Sequence, residues 1–103
     1  MDWREVANSV GGELNRVVQT YHWWAAKDGK SFGEKIRIEI VELSTGEFQG
    51  IPDKQVKTPG QATPYVSMDA KATPEEALKD VITGFKMFMD TPENTTWPPL
   101  PLT

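Results

Sequence analysis

Covalent catalysis needs a nucleophile, a base to activate it and a group to orient that base, all within hydrogen-bonding reach. This chain has no cysteine and a single histidine, His22. A thiolate nucleophile, a disulfide and a thiolate metal site are therefore excluded. No carboxylate lies at ligand spacing around His22, and a lone imidazole makes a poor metal centre. Gly29-Lys30-Ser31 has the ending of a phosphate-binding loop, but the full pattern needs a glycine at position 24, which is a tryptophan. Carboxylates are plentiful, among them Glu39, Glu42, Glu47, Asp53 and Asp69, yet none has surroundings that set it apart from a solvated acid. Calcium-loop and zinc-helix spacings are absent, and so are basic stripes interleaved with aromatics. No catalytic residue, metal or cofactor is expected, and a binding role becomes the working expectation.

The totals agree with one small domain. At 103 residues, with 38% hydrophobic and 25% charged, the chain is long enough for one modest core and has the composition of a soluble globular protein. Its net charge of −4 argues against phosphate-backbone binding and suits a basic protein partner. No apolar run is long enough to span a membrane. The start, Met-Asp-Trp-Arg-Glu, lacks the pattern of a signal peptide, so a cytoplasmic protein is expected.

The clearest element is residues 72–90. Thr73 is a helix N-cap, Pro74 fits the first helical position, and Glu76 completes a Thr-x-x-Glu capping box. Leu78, Val81, Ile82, Phe85, Phe88 and Met89 then form one apolar stripe, and Pro92 stops the helix. Residues 2–26 also read as helix, with Trp3, Val6, Val10, Leu14, Val17, Tyr21 and Trp24 on one face. Gly11-Gly12 costs about 2 kcal/mol of helix propensity there, and Asp28-Gly29 reads as its stop. Trp23 falls on the polar side of that helix, where an aromatic either marks a partner surface or, if the last turn frays, folds back onto the core.

Between these helices lie three strands. Residues 35–43 alternate Ile36, Ile38 and Ile40 with Lys35, Arg37 and Glu39, which predicts a strand buried on one face; the slip at Val41-Glu42-Leu43 implies a bulge or burial of both faces. Residues 44–47 form a turn and 48–51 a return strand. Residues 52–64, with three prolines, read as an irregular loop. Residues 65–70 resume a strand leading into the capped helix. The expected fold is α+β: an N-terminal helix, a three-stranded antiparallel sheet and a C-terminal helix on one face, in the order α-β-β-β-α. Residues 1–90 make one domain, and 91–103 an extended Pro-rich arm of polyproline character, whose Trp97, Leu100 and Leu102 dock on the domain itself or on a neighbouring subunit.

Within this frame Ile36 to Leu43, Ser44-Thr45-Gly46-Glu47-Phe48, Pro52-Asp53, Pro59-Gly60, Tyr65-Val66-Ser67 and Thr73-Pro74-Glu75-Glu76-Ala77-Leu78 follow one another as a series. In this order the stretch from Ile36 to Asp90 resembles the N-terminal domain of HicB-type antitoxins. The resemblance implies a partial ribonuclease-H-like or double-stranded-RNA-binding-like fold and a small basic ribonuclease toxin as partner. The chain departs from the family in a longer loop after Asp53, in Gly60-Gln61 where the family has Gly-Cys, in an added N-terminal segment, and in having no DNA-binding module after Asp90.

The function expected is a small protein-interaction module, of antitoxin type where the resemblance extends to activity, self-associating through an edge strand or the arm. Its candidate contact residues are Trp23, Asp53, Pro59, Gly60, Tyr65 and Trp97. Two alternatives stand beside it: a small-molecule or enzymatic domain with a pocket between helices and sheet lined by Trp24, Phe85 and Met89, and a phage-type inhibitory protein. Membrane and nucleic-acid partners are not expected.

Overall fold

A computed structural model of the chain describes residues 2–66 and 69–100. Helix α1 spans Trp3–Ser9, followed by strands β1 (Arg16–Lys27), β2 (Lys30–Glu42), β3 (Phe48–Pro52) and β4 (Ala70–Lys71), and helix α2 (Pro74–Phe88). The strands form one antiparallel sheet in the order β1-β2-β3-β4. The α+β class is as expected. The sheet has four strands rather than three, and Ser67 and Met68 of the expected strand at 65–70 lie outside the described residues.

The largest departure is at the N-terminus. The helix expected over 2–26 is only seven residues long and buries none of them. Gly12 takes φ +81, beyond the reach of a helix, and residues 16–27 form the first arm of a long hairpin with β2. RVVQTYHWWAAK is rich in β-branched and aromatic side chains, which pack well on a pleated surface and lose rotamer freedom in a helix. Asp28-Gly29 is no helix stop. Both residues have positive φ, 51° and 78°, as a type I′ hairpin turn requires, and they join β1 directly to β2.

The β1–β2 register is regular from Gln19↔Ile40 to Trp24↔Lys35 and is interrupted at Val18 and at Ala25. The slip expected near Val41 is resolved by burial of both faces, since Val41 and Glu42 are 4% and 6% exposed, with the irregularity in the facing strand at Val18. Ile36, Ile38 and Ile40 are fully buried on the covered face. Each such side chain contributes about 1.5–3 kcal/mol.

Helix α2 lies across that face as its sequence predicts. Thr73 Oγ1 accepts the Glu76 N–H at 3.2 Å, and Ala77, Val81, Gly84 and Phe85 are buried. Two glycines set the approach. A Cβ on Gly50 of β3 would overlap Val81 and meet the Ala77 carbonyl at 3.1 Å, so the helix rests directly on the strand. A Cβ on Gly84 would overlap the Tyr65 hydroxyl and crowd its ring, whose nearest carbons would stand at 3.0 and 3.1 Å. Lys27, at the end of β1, donates to the Met89 carbonyl at 2.6 Å and so ties the hairpin to the helix C-terminus, where a cation is favourable.

Residues 52–64 are more ordered than an irregular loop. Val56 is fully buried and exchanges backbone hydrogen bonds with Tyr65 at 3.0 and 2.8 Å. On the other side Lys57 exchanges them with Thr96 at 3.0 and 2.8 Å, and Gln55 donates to the Pro98 carbonyl at 2.8 Å. The described part of the Pro-rich arm thus docks on its own domain, with the Trp97 ring against Phe32 and Phe85. Leu102 lies outside the described residues.

Candidate interaction surface

The aromatics singled out by sequence converge on one side chain. Trp23 stacks on Phe85, with centroids 6.2 Å apart and planes 27° off parallel. Tyr65 meets Phe85 edge-on at 6.1 Å and stacks on Phe88 at 4.1 Å. Trp97 meets Phe85 edge-on at 6.1 Å. Trp23, Tyr65 and Trp97 are therefore half-buried members of the core around α2. Asp53 is held by backbone: its carboxylate accepts the Arg37 N–H and its own N–H donates to the Arg37 carbonyl, each at 2.9 Å, extending the β2–β3 ladder by one pair. Pro59 and Gly60 are exposed at the tip of a turn closed by the Gln61 N–H on the Thr58 carbonyl at 3.0 Å. They are the two candidates that lie at the open surface.

The pocket imagined between Trp24, Phe85 and Met89 is divided by the sheet. Phe85 and Met89 are buried on the covered face, while Trp24 pairs with Lys35 on the other. A surface depression of about 290 Å³ lies instead on α2 beside β4, lined by Lys71, Glu76, Lys79, Asp80 and Thr83. Among the described residues no three His, Asp or Glu side chains are grouped to hold a metal ion, and no buried side-chain nitrogen or oxygen lacks a hydrogen-bond partner. No helix among them is long and apolar enough to cross a membrane.

What remains open is β1. It is an edge strand of twelve residues, about 40 Å of backbone by the usual rise, and accounts for much of a long axis of 50 Å. Exposed large apolar side chains gather along it and its approach: Val10, Leu14, Val17, Tyr21 and Trp24, with only Met87 and Phe88 elsewhere among the described residues. Trp24 is 65% exposed and Val17 50%. Because paired residues share a sheet face, Thr20, His22 and Trp24 stand beside Glu39, Arg37 and Lys35 on the uncovered face. The His22 ring meets Trp24 edge-on at 6.3 Å.

The acidic excess lies outside the hairpin. Residues 16–42 hold five Lys and Arg against four acids, and the rest of the chain six against eleven. At the root of the hairpin the Glu42 carboxylate, 8% exposed, is paired with Arg4 of α1 and, at 2.8 Å, with Arg16 of β1. This pairing pins α1 and the start of β1 to β2.

Sequence reasoning missed Val17, Tyr21 and Trp24 as surface residues because it placed them on a helical stripe. The signal that finds them is Asp-Gly between two β-rich runs. No protein family, curated protein or solved structure matches this chain.

Proposed function

We propose that the protein is a small protein-interaction module whose docking surface is the outer edge of β1, where an extended segment of another polypeptide adds a strand to the sheet. The observation that carries this reading is the concentration of exposed Val17, Tyr21 and Trp24 on a twelve-residue strand at the sheet edge. Unpaired backbone groups on such an edge supply affinity, and alternate side chains supply specificity. Aromatic anchors dominate the energetics of protein contacts. The eleven acids against six bases outside the β1–β2 hairpin support a basic protein as a further partner. The resemblance of Ile36 to Asp90 to HicB-type N-terminal domains supports the same partner chemistry and an antitoxin-like role.

The test compares the tagged full chain with a Val17→Lys variant. Lysine is the residue natural edge strands use against pairing, and position 17 is open enough to accept it without loss of fold. The reading predicts that the wild type associates with itself or with a captured protein and that Val17→Lys loses this association at unchanged circular dichroism. Association that survives Val17→Lys at full strength would remove the β1 edge as the docking surface.

A further inference from the structure

We infer that the strip formed by residues 53–57, Phe32 and Phe85 is a recognition site for an extended polypeptide segment in which a tryptophan precedes two prolines, and that the chain's own C-terminal arm is its resident occupant. The site is separate from the β1 edge and goes beyond the reading above.

The arm is held as an added strand. Lys57 stands opposite Thr96 and Lys54 opposite Pro99, and the bonds of Gln55 to Pro98 and of Leu100 to Asp53 keep the same antiparallel register without a break. Trp97 therefore stands opposite Val56, which on its other side stands opposite Tyr65. Paired residues share a face, so Trp97, Val56 and Tyr65 make one row turned toward Phe85.

Each feature of the segment meets a group suited to it. The Trp97 ring lies between Phe32 at 5.9 Å and Phe85 at 6.1 Å, both steeply inclined to it. Prolines have no N–H to give, and the site takes their carbonyls instead. The Gln55 N–H donates to the Pro98 carbonyl at 2.8 Å, and the Gln55 side-chain amide donates to the Pro99 carbonyl at 3.1 Å. The Leu100 N–H then donates to the Asp53 carbonyl at 3.3 Å. A Pro-Pro segment is already extended before it docks, so little entropy is lost on binding.

The arm is also separable from the helix before it. The connecting turn closes on itself: the Asn94 N–H donates to the Thr91 carbonyl at 3.0 Å, and the Asp90 N–H to Thr95 Oγ1 at 2.9 Å. The arm beyond Thr95 can leave with α2 and this turn intact. A notch of about 140 Å³, lined by Lys57, Thr58, Pro59, Asn94 and Thr96, leaves the seam open at that end. Tethering gives the arm an effective concentration on the order of millimolar, so it keeps a free segment out until it is released.

The test is binding of a fluorescent peptide with the sequence of residues 94–100 to the full chain, read by anisotropy. Two variants release the arm. Trp97→Ala removes its anchor, and Thr96→Pro, at an exposed position, takes its N–H out of the ladder; the second carries the test if the first does not fold. The inference predicts saturable binding to the released chain, at least about tenfold tighter than to the wild type. The peptide carrying Trp97→Ala should not bind. Adding Gln55→Ala to the released chain should weaken binding about two- to tenfold, as loss of one hydrogen bond does. A folded, released chain that takes the peptide no better than the wild type, or that takes the peptide lacking tryptophan equally well, overturns the inference. Neither result touches the β1 reading, which Val17→Lys tests separately.

Discussion

Trp23 and Trp24 are adjacent in sequence and face opposite sides of the same strand: Trp23 stacks on Phe85 in the core, whereas Trp24 stands beside Lys35 on the uncovered face, 65% exposed. One is spent on the fold and the other is available to a partner. Trp23→Ala should cost about 3 kcal/mol in urea unfolding, in line with loss of a large packed aromatic. Trp24→Ala should change stability by less than about 0.5 kcal/mol while weakening association. Equal losses of stability at both positions would contradict the two-faced strand.

The two close glycines give a second expectation. Gly84→Ala gains about 1 kcal/mol of helix propensity but must displace the Tyr65 ring. Gly50→Ala must displace Val81 and the helix backbone at Ala77. Overpacking costs about 1–3 kcal/mol, so Gly50→Ala should destabilise clearly. Gly84→Ala should lose less, because its own helix gains and an aromatic ring can shift more readily than a carbonyl. Gly60→Ala, at an exposed turn with nothing within 4 Å, serves as the neutral control. A stabilised Gly50→Ala variant would mean that α2 does not rest on β3 as described.

At the root of the hairpin, Glu42 shares its carboxylate between Arg4 and Arg16. Both arginines are more than a third exposed, so losing either alone should cost about 0.5–1 kcal/mol. Losing both leaves a buried carboxylate without a counter-charge, and the double Arg4→Ala, Arg16→Ala variant should exceed the sum by about 1 kcal/mol. Strict additivity in a double-mutant cycle would show that the two arginines do not serve one carboxylate.

The turn between β1 and β2 is a fourth test. Gly29 has φ +78, a conformation that costs a β-branched residue about 1–2 kcal/mol. Gly29→Val should lower the urea midpoint accordingly, whereas Asp28→Asn, an equally good type I′ residue, should leave it unchanged. A Gly29→Val variant as stable as the wild type would argue for a different turn.

How far the fold could be read in advance differed by element. Helix α2 was legible because its signals are local: Thr73-Pro74-Glu75-Glu76 at the start and a stripe at helical spacing through Phe85. The core of β2 was equally plain from Ile36, Ile38 and Ile40. Strand β1 was misread because so many of residues 16–27 are apolar that both periods fit, and Gly11-Gly12 did not break the apparent phase. Its β-branched and aromatic content, followed by Asp28-Gly29 and a second β-rich run, carried the correct answer. The docking of Trp97 depends on contacts with Phe32 and Phe85, 65 and 12 residues away, which no local pattern announces. The site followed the same logic. Prominent aromatics such as Trp23 and Tyr65 drew notice as contacts because they are large, and they are large because the core uses them. Trp24 reads from sequence as a pocket-lining residue, not a surface contact, because a helix over residues 2–26 gives it a buried face.

The claim that the β1 edge is the association surface is tested most directly by amide hydrogen exchange on the full chain across a dilution series. In the isolated molecule, alternate amides between Gln19 and Trp24 point away from β2 and should exchange quickly, while their neighbours are held in the β1–β2 ladder. The account predicts that these outward amides become protected as concentration rises or as a bound protein is added, and that amides of α2 do not change. Rates for Gln19 to Trp24 that stay the same from micromolar to millimolar concentration, in the presence of demonstrated association, would contradict it.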